Sequence, residues 1–142
     1  MIGIALFVFG ILASVAALHV IWAFGKSWPT QDRKALARTV IGVQSEQMPP
    51  AGVTLVVAGL IFAVGCLPWV WLSVLPFPIS RTLAEVFMWA AVAVFALRGA
   101  ATYTFYTKIH EPIEPFARLN RRYFSPLCLA LAAGFLVLVL AG

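Results

Sequence analysis

The chain has 142 residues, 63% of them hydrophobic and only 11% charged, with a mean hydropathy of +0.98. So little polar surface excludes a water-soluble globule and points to one integral membrane domain over residues 1–142. The formal net charge of +5 is confined to short connectors rather than spread along one soluble face, which argues against nucleic acid and for anionic lipid headgroups as the partner. The two cysteines, Cys66 and Cys128, lie in apolar stretches and form no CxxC motif, so neither a disulfide framework nor a thiolate metal site is expected.

The first apolar stretch, residues 2–25, lacks a basic start and is too long for a signal-peptide core, so it reads as a retained first span. His19 and Trp22 share one of its faces, and Gly10, Ser14, Ala13 and Ala17 form small-xxx-small pairs suited to close helix approach. A polar connector follows. Within it Thr30 is the expected N-cap of a short interfacial helix whose apolar side is Ala35, Leu36, Val40 and Val43. Pro49 and Pro50 open a second span over 51–75, with a kink expected at Pro68 and an interfacial belt at Trp69 and Trp71.

Pro76 and Pro78 leave room only for a turn before a third span over 80–105, where Arg81 and Glu85 are spaced to pair and Arg98 lies well inside the apolar run. Tyr103 and Tyr106 close that span. In the next connector, His110 stands among Lys108, Glu111 and Glu114; the glutamates read as solvated or paired with Arg118 and Arg121. Pro115 starts an amphipathic turn carrying Phe116, Leu119 and Tyr123, which runs through Ser125 and Pro126 into a fourth span over 122–141. The fold class is therefore all-α, a four-helix transmembrane bundle with short interfacial helices on the cytoplasmic side. The two connectors hold Lys26, Arg33, Lys34, Arg38, Lys108, Arg118, Arg121 and Arg122, against Arg81 alone at the other end, so the positive-inside rule places both termini outside the cytoplasm.

At 1.5 Å per residue, His19 and Arg98 sit roughly 9 to 10 Å inside the cytoplasmic boundary. Cys128 falls at a similar level, with Trp22, Thr102, Tyr103 and Ser125 close in depth. These seven residues are the candidate ligand-binding layer. In one reading Arg98 holds an anionic headgroup, a carboxylate or a quinone-like oxygen while His19 supplies a proton or a lone pair. In the other, Arg98 snorkels to the headgroups and His19 bonds a neighbouring helix. No set of metal ligands, cofactor motif or catalytic constellation is present in the sequence, and no catalytic residue is assigned.

The runs Leu18-His19-Val20-Ile21-Trp22-Ala23-Phe24-Gly25, Met48-Pro49-Pro50 and Arg98-Gly99, with Phe116-Ala117-Arg118 through Tyr123-Phe124-Ser125-Pro126-Leu127-Cys128, resemble a family of small bacterial four-helix membrane proteins known as domain of unknown function 3995. The resemblance covers nearly the whole chain and implies four spans with no assigned activity. It also implies an acidic residue where Asn120 stands and a Gly-Asp-Phe-like run where this chain has Ala100-Ala101-Thr102-Tyr103. The function expected is non-enzymatic binding of a lipid-like or small amphiphilic ligand, or of a partner helix as in a homo-oligomer. A membrane-embedded enzyme or redox protein using His19 and Arg98 is the alternative, and a small transporter the second alternative.

Overall fold

The structure is a computed structural model and describes residues 1–41, 48–103 and 114–142. Among the described residues five helices make up the architecture: α1 (Ile2–Ala23), α2 (Arg33–Val40), α3 (Ala51–Trp71), α4 (Arg81–Ala101) and α5 (Phe116–Ala141). All but α2 are long and apolar enough to cross a membrane. They form an antiparallel bundle in which α1 packs chiefly on α3 and α4 on α5, the two pairs meeting through α1 with α5 and α3 with α4. The result is a helical bundle with a termini end, carrying Met1, Trp71, Arg81 and Gly142, and a loop end, carrying Trp22, α2, Thr102 and the start of α5.

The core is a narrow seam. Val8 and Leu12 of α1, Met88 and Ala91 of α4, and Leu131, Phe135 and Leu138 of α5 are its buried centre, with Phe95 stacked on Phe135 at 5.8 Å. Only 22% of the most apolar window in each of the first three spans is buried, so large side chains such as Leu6, Val56, Leu60, Val94 and Leu97 face outward. Apolar surface on that scale is what a multi-pass membrane protein presents to lipid.

Helix ends fall short of the hydropathy boundaries, for local backbone reasons. Helix α1 stops at Ala23 rather than residue 25 because Gly25 adopts a positive φ and its N–H turns back to Trp22 O. Helix α3 ends at Trp71, four residues early: Ser73 takes φ 58, and the N–H groups of Val74 and Leu75 both return to Trp69 O. Helix α4 ends at Ala101 with a tightened turn from Tyr103 N–H to Ala100 O, so Arg98 lies in its last turn. The expected span end at Phe105 and Tyr106, together with Val43, Lys108, His110 and Glu111, lies outside the described residues. Helix α5 starts earlier than residue 122, its interfacial turn running unbroken into the span.

Four further expectations are corrected. The cap of α2 is Asp32, whose carboxylate accepts from Ala35 N–H at 2.7 Å; Thr30 instead bonds the carbonyls of Ser27 and Asp32. Close approach on α1 does not use Gly10 or Ser14, which are exposed, because the inward face is Ala5, Val8, Leu12 and Ala16. Arg81 does not pair with Glu85: its guanidinium lies 3.4 Å over the Trp71 ring and donates to Trp71 O and Gly142 O. Trp71 itself is turned into the bundle, only 4% exposed, with its indole N–H on Leu138 O at 2.9 Å. A ring that reaches the α5 backbone this way serves as a clasp of helix ends more than as an outward belt residue.

Candidate functional site

Chemistry concentrates where α4 ends beside the first turns of α5. Gly99 permits the approach, since a Cβ there would lie 2.7 Å from Leu129 Cγ and 3.0 Å from Ser125 O. Opposite it, α5 contains a π-helical stretch, Asn120–Phe124, closed by Ser125 N–H on Asn120 O. Pro126 has no N–H to give to the carbonyl one α-turn behind it, so a local change of winding just before it costs little. Residues five apart are about 140° apart around an α-helix but stack nearly one above the other in a π turn. The π turn therefore aims Asn120 and Ser125 at a common target, the hydroxyl of Thr102.

Asn120 joins the group. Its amide donates to Thr102 Oγ1 at 2.7 Å and its Oδ1 accepts from Arg98 Nη2 at 2.9 Å. Ser125 donates to Thr102 Oγ1 and lies 3.4 Å from Asn120 Oδ1. Thr102, Asn120 and Ser125 are all buried, at 5%, 6% and 0% exposure, and among the described residues no buried polar side-chain atom lacks a partner. The cluster thus satisfies itself, as buried polar groups in an apolar medium must.

Arg98 sits at its rim. The residue is exposed, and Nη2 of its five-donor fork is bound to Asn120 Oδ1. Its place in the last turn of α4 puts it about 4.5 Å from the helix end, shallower than the depth expected from a span ending at 105. A cation in the last turn of a helix is favoured by the helix dipole.

The remaining candidates are placed as follows. Tyr103 is exposed next to the cluster and its hydroxyl donates to Arg121 O at 2.7 Å. Cys128 is a half-buried free thiol one turn into the span from Ser125, and Cys66 is likewise free on α3. His19 and Trp22 lie on the other helix pair. His19 Nδ1–H donates to Val15 O at 2.8 Å, its ring is 4.9 Å from that of Trp22, and the Trp22 indole N–H is bound to Trp28 O. No hydrogen bond among the described residues joins His19 or Trp22 to the Arg98 cluster. The structure therefore gathers Arg98, Thr102, Ser125 and, beside them, Tyr103, and leaves His19 and Trp22 apart.

Asn120 is the residue the sequence reading missed. It stands in a run of arginines that reads as a topology marker, and α-helical spacing separates it from Ser125; the signals were the family resemblance, which singles out position 120, and Pro126 with the carbonyl it leaves free. Elsewhere at the loop end, a shallow groove between α2 and α5 is lined by Asp32, Lys34, Arg38, Thr39 and Glu114, charges of both signs. Among the described residues no group of three or more His, Cys, Asp or Glu side chains is gathered for a metal.

The family model described as a protein of unknown function, DUF3995, matches residues 12–135. The chain belongs to this family. In this DUF3995 member the matched stretch takes in the whole cluster, from Arg98 to Ser125, as well as His19, Trp22 and Cys128. No curated protein and no solved structure matches the chain.

Proposed function

We propose that this DUF3995 protein is a non-enzymatic, multi-pass protein of the cell (inner) membrane that binds an anionic amphiphile at the cytoplasmic leaflet through Arg98. Seven of its ten basic residues, Lys26, Arg33, Lys34, Arg38, Arg118, Arg121 and Arg122, belong to the loop end, and Arg81 alone belongs to the termini end. By the positive-inside rule the loop end faces the cytoplasm and both termini face outward.

The observation that carries the reading is the state of Arg98. A charge in a membrane-spanning helix is costly unless something compensates it, and Asn120, its hydrogen-bond partner among the described residues, is neutral. The amide fixes the guanidinium in place and leaves the charge whole. What completes the site must bring a negative charge to the edge of the hydrocarbon and an apolar body to lie against the outward faces of α4 and α5. An anionic amphiphile has both. Binding is favoured over catalysis because among the described residues the cluster brings no base to a nucleophile: Thr102, Asn120 and Ser125 bond one another, and His19 is committed to its own helix.

The test is thermal unfolding of the purified protein in a neutral detergent with added amphiphiles of different charge. An anionic amphiphile should raise the unfolding temperature while a zwitterionic one at equal concentration does not, and Arg98→Gln should remove the difference. Equal stabilisation by both in the wild type would dismiss the reading.

A further inference from the structure

The termini end leaves a carboxylate without its expected partner. Glu85 lies about 6 Å along α4 from Arg81 and is exposed among Leu83, Val86 and Phe87, large apolar side chains that face outward. Its spacing from Arg81 suits an ion pair, yet the Arg81 guanidinium is turned onto the Trp71 ring and the carbonyls of Trp71 and Gly142. Among the described residues the Glu85 side chain has neither a hydrogen bond nor an ion pair. Glu85 also lies about 24 Å along α4 from the loop end, where residues 42–47 and 104–113 join the described chain, and a chain as long as the longer of these connectors spans at most about 19 Å out and back. An ionisable group on the outward side of a membrane-crossing helix marks a functional site unless a partner explains it. Trp89 stands four residues further on the same side of α4, exposed as well, and its indole makes no hydrogen bond or ring contact among the described residues. Helical side chains lean toward the N-terminus of their helix, which directs the Trp89 ring over the turn that carries Glu85.

We propose that Glu85 and Trp89 form a binding site for the ammonium group of a lipophilic amine, in the leaflet at the termini end. That group is carried either by an aminolipid headgroup or by a free cationic amphiphile. A carboxylate next to an indole face suits an ammonium, because the anion neutralises the charge while the π face attracts the methyl or methylene groups that share it. The apolar side chains around Glu85 supply a surface for the alkyl chain. A metal ion is a poorer fit: hard cations take about six oxygens, and among the described residues Glu85 belongs to no cluster of acidic, His or Cys side chains. The site is separate from Arg98, about 20 Å away along the same helix, and does not depend on the anionic reading above.

The experiment measures binding of dodecyltrimethylammonium to the full chain in neutral detergent, with uncharged dodecanol at the same concentration as the control. The cation should bind the wild type about tenfold more tightly than the alcohol, through an ion pair and a cation–π contact acting together at the lipid edge. Glu85→Gln should bring the cation down to the alcohol level, and Glu85→Asp should retain most of the preference. Trp89→Leu should lower the preference about threefold, and Trp89→Phe should lower it less. Arg98→Gln should leave it intact. Competition by phosphatidylethanolamine would support the site and identify a headgroup as the source; binding of the cation without such competition would support it and identify a free amphiphile. Equal binding of the cation and the alcohol by the wild type, or an unchanged preference in Glu85→Gln, would overturn the proposal and leave the Arg98 reading standing.

Discussion

Consider removal of Asn120. The Asn120→Ala change deletes a 2.9 Å bond from Arg98, a 2.7 Å bond to Thr102 and a weaker 3.4 Å contact with Ser125. Inter-helical hydrogen bonds in membrane proteins average about 0.6 kcal/mol and reach about 1.7, so the two good bonds together contribute about 1 to 3 kcal/mol. The single mutant also loses packing, so the informative quantity is the coupling in a double-mutant cycle. Asn120→Ala combined with Thr102→Ala should show a coupling of about 1 kcal/mol, and with Arg98→Ala a similar value, held to the low end because Arg98 is exposed. His19→Ala should be additive with Asn120→Ala, because no hydrogen bond joins the two. Reversible unfolding free energies in bicelles or mixed micelles supply the four corners of each cycle. Coupling indistinguishable from zero for Thr102 and Arg98, or equally large for His19, would refute the network as drawn.

Further substitutions test the packing at the two ends of the bundle. Gly99→Ala should destabilise by about 1 to 3 kcal/mol, since the new methyl meets Leu129 at 2.7 Å and the Ser125 carbonyl at 3.0 Å, while Gly10→Ala, with open space around it, should cost nothing measurable in the same unfolding assay. At the termini end, Arg81→Ala should cost about 1 to 2 kcal/mol through loss of the Trp71 stacking and the two carbonyl bonds, and Arg81→Lys should recover little of it, because an ammonium does not stack on the ring while reaching both carbonyls. Wild-type stability in Arg81→Ala would show that the clasp holds nothing together.

The apolar stretches were legible because hydrocarbon thickness imposes a length and a composition, and a long apolar helix lies along each, the fourth beginning at Phe116, ahead of the expected start at 122. Their ends were less legible, because hydropathy carries no information about a left-handed Ser73 or the tightened turn at Tyr103. That difference moved Arg98 from roughly 9 to 10 Å inside the expected span end to the last turn of its helix, about 4.5 Å from that end. Thr102 and Ser125 were found by depth alone, since polar residues at one level of a bundle tend to meet. Asn120 was not, because the geometry that turns it inward is a π turn, and periodicity arguments assume α winding throughout. His19 and Trp22 share the expected face and touch each other, yet depth alone cannot say which helices pair; α1 packs chiefly on α3, and its polar residues are bonded within the same helix and the turn after it.

The central claim is that an anionic amphiphile occupies the surface beside Arg98. Native mass spectrometry of the protein extracted from its membrane tests it most directly. The account predicts a bound anionic lipid on the wild type that is lost from Arg98→Gln and retained in His19→Ala. Loss of the lipid from His19→Ala with retention in Arg98→Gln, or a wild type that carries only zwitterionic lipid, would contradict it.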